Sequence, residues 1–187
     1  PVNYLSRLEK AKIYLHEAVS LHPDDDDEAK SLKHNMQSLQ QIIKAQEHKR
    51  DGDIALGLGN ADEAILLYNQ AIKESSTILS AHANRAAAHY LRHDYTACVS
   101  DCTHVLETLK AIIPLSTDCG SPMATFGGIP TPGSTTRSDL VKVCLCRRAA
   151  AYLMIKSTPL ANQDTKAVSK WFGESCLDLC KDEKSLL

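Results

Sequence analysis

Seven cysteines and eight histidines are the residues of this chain with the widest chemical reach, so their spacing comes first. Cys98/Cys102 and Cys176/Cys180 lie four apart, one helical turn, while Cys144 and Cys146 lie two apart and point to different sides of a helix. No C-x-x-C pair occurs, and the odd number argues against a secreted disulfide framework. The pattern reads as small apolar thiols packed between helices, with no zinc, in a reducing compartment, most simply the cytosol. His89 and His93 share a helix face, yet no acidic or cysteine partner completes a metal spacing. ALGLGN (55–60) contains a G-x-G, but no strand precedes it and no lysine follows, so it is a hairpin turn and not a phosphate loop. No Ser/His/Asp or Cys/His order supports nucleophilic catalysis. The expectation is a chain without an active site, a metal or a cofactor.

Bulk properties point the same way. Charged residues make up 24% and the formal net charge is −2, which gives no electrostatic reason to expect nucleic acid or a membrane surface as partner. No apolar run approaches the roughly 18 residues that span a bilayer, and no signal peptide opens the chain. The first residue is Pro1, so the chain is read as a fragment or a processed product, with room for further domains beyond either end.

The elements follow from apolar periodicity. Leu8, Ala11, Leu15, Ala18 and Leu21 recur at steps of three and four, which predicts an amphipathic helix over 4–21. Pro23 ends it, and Asp24–Asp27 place carboxylates at the start of the next, where the backbone dipole favours them. Leu32, Met36, Leu39 and Ile43 form the stripe of one long helix running to about Gly57, about 45–50 Å long at roughly 1.5 Å per residue. Gly57 and Gly59-Asn60 mark a tight turn, and helices are expected at 61–75, 79–92 and 94–110. Connections this short make neighbouring helices antiparallel. The stretch 114–137 holds four prolines and four glycines and excludes a regular helix. Helical pattern resumes at 139–155, a polar loop is expected around Pro159, and a final helix at about 166–186. Trp171, beside Phe172, is expected to pack against the last hairpin.

A repeat underlies these helices. In GDIALGLGNADEAILLYNQAI (52–72) and AAAHYLRHDYTACVSDCTHVL (86–106), Gly52 falls on Ala86, Ala64 on Cys98 and Ala71 on Val105, all 34 residues apart. Undersized side chains are needed where the paired helices cross closely. CRRAAAYL (146–153) opens a third copy, displaced by 29 residues by the Pro/Gly-rich insertion. Cys176 and Cys180 repeat the spacing of Cys98 and Cys102 and are taken as the closing helix of that copy. Ala11, Ala18 and Pro23 match the back half of one more repeat.

This pattern resembles the tetratricopeptide-repeat (TPR) family, and HANRAAAHYLRHDYTACVSDC (82–102) is similar to the second repeat of a co-chaperone TPR domain. The resemblance implies an all-α solenoid of helical hairpins with a long connecting helix and an insertion. Residues 1–44 would close a preceding TPR unit and begin the long helix. Residues 45–187 would form a TPR domain with repeats at about 45–78, 79–112 and 138–187, the last carrying the insertion 113–137. The first helices of such hairpins line a concave groove for partner peptides.

In the chaperone-binding subset of the family, a clamp of Lys, Asn and Arg holds the acidic C-terminal tail of the 70-kDa and 90-kDa heat-shock chaperones through charge-assisted hydrogen bonds. Matched residue by residue, the resemblance places Lys49, Asn84 and Arg147 at clamp positions. Asp53 stands in place of an asparagine and Val143 in place of a second lysine; Lys142 is adjacent but lies about 100° round the helix. Asp53 would repel an acidic tail, and if it pairs with Lys49 or Arg147 the groove would prefer another ligand, one presenting a basic group. His22-Pro23-Asp24 spells the tripeptide of J domains, but it sits in a turn that the repeat already explains and lacks the basic helix before it, so it is read as coincidental. The expected function is a cytoplasmic protein-interaction adaptor of the co-chaperone type. Its alternatives are a structural scaffold whose groove holds a permanent partner or residues 123–130 of the insertion, and the targeting module of an enzyme domain lying elsewhere.

Overall fold

The computed structural model describes residues 4–21, 27–112 and 137–172, and every element among them is an α-helix. These are α1 (Tyr4–Leu21), α2 (Asp27–Gly57), α3 (Ala61–Glu74), α4 (Leu79–Leu91), α5 (Tyr95–Ile112), α6 (Arg137–Met154) and α7 (Thr158–Phe172). The long helix expected between the first turn and Gly57 is present as α2, 31 residues and about 46 Å. The Pro/Gly-rich stretch, the His22–Asp24 tripeptide and Cys176/Cys180 lie outside the described residues. No described helix is long and apolar enough to cross a membrane.

Three turns explain why these helices pair. Gly59, His93 and Lys156 all have left-handed backbone, with φ of 81°, 61° and 61°. The next amides, of Asn60, Asp94 and Ser157, donate to the carbonyls of Ala55, His89 and Tyr152 at 2.9, 2.9 and 2.8 Å. The amides of Gly59, His93 and Lys156 donate to Leu56, Tyr90 and Leu153. Both bonds of a Schellman ending are thus made at the close of α2, α4 and α6, satisfying carbonyls that a helix end otherwise leaves open. The chain reverses in the same way three times, so the α2/α3, α4/α5 and α6/α7 pairs are hairpins. The turn is in register too: residues 59 and 93 are 34 apart, as the aligned small residues are.

Lys156 holds a conformation that costs a side-chain-bearing residue about 1 kcal/mol. Lys156→Gly is therefore expected to stabilise the chain by roughly 0.5–1 kcal/mol, and Gly59→Ala to destabilise it by a similar amount. Urea midpoints of the two variants check this; shifts of equal sign would mean that backbone handedness is not what the turns share.

Small residues fill the crossings. Gly52, Ala86 and Ala149 are buried on the first helices, and Ala64, Cys98 and Ala161 on the second. Ala71, Val105 and Val168 are all fully buried further along the second helices. Here the structure corrects the expected last helix. Its start is Thr158, not 166, and Ala161 rather than Cys176 takes the small position. Pro159 does not interrupt a helix in its first turn, where its missing N–H has no intrahelical partner to lose. Leu160 and Ala161 instead donate to the Ser157 carbonyl just ahead of it.

The hairpins pack in chain order, and first helices also meet first helices: α2 contacts α4, and α4 contacts α6. One core joins α4, α5, α6 and α7 around Leu79, Val105, Leu109 and Val141, with Trp171 packed against it as expected. A second joins α2, α3 and α4 around Tyr68. Leu8 of α1 meets Ile43 of α2 in a small third cluster. Cys98, Cys102, Cys144 and Cys146 are buried in the larger core and form no disulfide. Contact with the Cys102 sulfur, together with burial, pushes the Cys98 and Cys144 thiols up, which keeps both protonated and unreactive.

Candidate functional site

Lys49 and Asp53 sit one turn apart on α2 and therefore share a face. Lys49 Nζ donates to Asp53 Oδ2 at 2.6 Å. Across the hairpin, Tyr68 Oη of α3 donates to Asp53 Oδ1 at 2.9 Å. From the next hairpin, Asn84 Nδ2 of α4 donates to the same oxygen at 2.8 Å. Three of the four residues singled out by the sequence are thus brought together, with Tyr68 as an addition. Asp53 is at the centre and Lys49 is its ion-pair partner, which is the condition under which a different ligand was expected. Lys49 is 12% exposed at its side chain and Asp53 39%.

Tyr68 has no exposed surface, and its ring lies against Gly52. Burial, reinforced by the neighbouring Asp53 carboxylate, pushes its phenol well above the ordinary range, so it serves the carboxylate as a permanent donor. A Cβ on Gly52 would lie 2.8 Å from Tyr68 Cε1 and 3.0 Å from Cδ1. Gly52→Ala must therefore move a fully buried ring, and a destabilisation of about 1–3 kcal/mol is expected from overpacking, with loss of the Tyr68–Asp53 bond. Chemical denaturation measures the first, and a change in the Tyr68 ring resonances in NMR spectra the second. An unchanged midpoint would mean that the ring has room to yield.

Arg147 occupies a different environment. It is 1% exposed, and its Nη1 donates to the Ala83 carbonyl of α4 at 2.7 Å. The guanidinium is packed between α6 and α4, and its charge acts on the Tyr68 phenol from there. It braces two first helices against each other. Val143, which the resemblance sets in place of a lysine, is half-buried on α6.

Two other arginines, outside the clamp positions that the resemblance marks, tie the hairpins together. Arg85 of α4 grips Asp101 of α5 with Nε at 2.8 Å and Nη2 at 2.6 Å, and its Nη1 reaches Asn69 of α3 at 2.6 Å. Arg148 of α6 repeats this on Asp164 of α7, with Nε and Nη2 both at 2.8 Å, and its Nη1 reaches Thr103 of α5 at 3.0 Å. Each arginine thus joins its own hairpin to the one before. Burial works against ionisation of Asp101, but the Arg85 bonds outweigh it and hold the carboxyl below its usual range. The signal was present in the sequence: NRAAA and RRAAA each lie 16 residues before an aspartate.

Arg148 and Asp164 also line a cleft of about 630 Å³ between α5 and α7, whose other walls include Leu106, Leu145 and Trp171. His93 Nδ1 is within 2.8 Å of Tyr95 Oη, and among the described residues no group of three or more His, Cys, Asp or Glu is arranged to hold a metal ion. The chain matches no protein-family model and no curated protein.

Proposed function

We propose that this chain is a TPR-type adaptor, a stack of helical hairpins that receives a peptide of a partner protein along its first helices, α2, α4 and α6. The observation that carries this reading is the threefold recurrence of one hairpin: the same Schellman reversal, the same small residues at the crossings, and first helices packed on first helices. Stacking of equivalent hairpins aligns equivalent faces, and an aligned row of first helices is a surface for an extended ligand. The half-buried cluster of Lys49, Asp53 and Asn84 bridges two such helices and places polar specificity on that row. Reducing surroundings, such as the cytoplasm, suit buried cysteines that form no disulfide.

The chaperone C-terminal tail is the ligand class implied by the sequence resemblance. Calorimetric titration of the chain with a peptide ending Glu-Glu-Val-Asp, and in parallel with a lysine-rich peptide, tests the reading. Saturable binding of either, weakened by Asn84→Ala, is expected. If neither peptide binds and amide resonances of α4 stay still throughout both titrations, the adaptor reading falls.

A further inference from the structure

We infer that Asp53 is a built-in occupant of a carboxylate receptor and, by filling it, directs the inner face away from acidic ligands and towards peptides that present a hydrogen-bond donor or a basic side chain. The ligand class rests on the adaptor reading above; the receptor itself does not. Three donors of different chemistry, an ammonium, a carboxamide and a phenol, converge on one carboxylate from α2, α3 and α4 at 2.6–2.9 Å. Donors gathered from separate helices around the volume of a single carboxylate are what binding such a group requires, and charge-assisted bonds of this length are the strong kind. In this chain the carboxylate is covalently present one turn from the lysine, so no incoming acid has to be found.

The layering sets the sign of the selectivity. Asp53 is 39% exposed and Lys49 only 12%, so an approaching group meets the carboxylate before the ammonium. An acidic ligand meets like charge, and the Lys49 and Asn84 donors that point at this volume are already engaged by Asp53. A carboxylate offers about four lone-pair directions, and three are used here. The remaining one accepts from a ligand N–H, ammonium or guanidinium. Asp53 is thus a specificity-determining residue.

The receptor is tested with acetate alone, by following the Asn84 side-chain amide in NMR titrations of the whole chain. In the wild type no saturable shift is expected. Asp53→Ala is expected to show one, and Asp53→Ala with Lys49→Ala to lose it again. A saturable wild-type response equal to that of Asp53→Ala, or no response in Asp53→Ala, overturns the inference. Asp53→Asn, which keeps an acceptor for Tyr68, serves if the alanine variant does not fold. It is expected to bind the Glu-Glu-Val-Asp peptide about tenfold or more tightly than the wild type, a gain of about 1.4 kcal/mol. Wild-type affinity for that peptide equal to or above that of Asp53→Asn also overturns the inference. Acetate binding without any peptide binding supports the receptor and removes the groove reading instead.

Discussion

Asp164→Ala is expected to destabilise the chain by about 3–5 kcal/mol, because it strands the Arg148 guanidinium in a largely buried position without its carboxylate. The Asp164 side chain is 5% exposed and that of Arg148 18%, so the pair is largely buried although it borders the cleft. Burial alone would lower the Arg148 pKa; the Asp164 hydrogen bonds and charge reverse that and raise it. A guanidinium is not deprotonated in proteins, so the charge stays on the arginine when its partner is removed, and the desolvation cost is left uncompensated. Replacing both residues with apolar ones, Arg148→Met with Asp164→Leu, is expected to recover much of the loss. Urea denaturation of the single and double variants measures it. A single-variant loss below about 1 kcal/mol would place the pair with ordinary surface bridges and deny it the role of fastening the last hairpin.

The second large effect is expected at Arg147. Arg147→Ala should cost about 3 kcal/mol or more, since it empties the largest fully buried side chain and removes a donor from the Ala83 carbonyl. Arg147→Lys is expected to be damaging too, because a lysine cannot present the planar fork that a buried guanidinium uses. Unfolding midpoints with and without saturating peptide separate the two roles this residue could have. If Arg147→Ala melts like the wild type and loses only ligand affinity, Arg147 is a groove contact and the brace between α4 and α6 is wrong. Binding tests are for this reason better made at Lys49 and Asn84, which are only partly buried, and at Asp53 through Asp53→Asn, which keeps an acceptor for Tyr68.

The helices were legible from the sequence because their signals are local. Steps of three and four among Leu8, Ala11 and Leu15 gave α1, and the prolines and glycines of 114–137 marked where pattern stops. Register was legible as well, because a 34-residue offset aligns small residues that only a close crossing requires. The last helix was misplaced by a local rule applied too broadly. Pro159 reads as a breaker, although the first turn of a helix tolerates it, and Cys176/Cys180 offer a decoy for the small position.

Side-chain partnerships were beyond reach of the sequence. Lys49 and Arg147 are both cations at matched positions, yet one reaches a half-exposed carboxylate and the other is sealed against a carbonyl of α4. Nothing in their spacing separates them, because burial depends on how far neighbouring helices approach, and that distance is set by every residue at the crossing. Tyr68 joined the cluster for the same reason: Gly52 leaves the space that its ring fills. Short-range periodicity thus determined that this chain is a row of helical hairpins. Only the packing of one hairpin on the next determined which charges face water, because solvent exposure is a property of the assembled surface and not of any one helix.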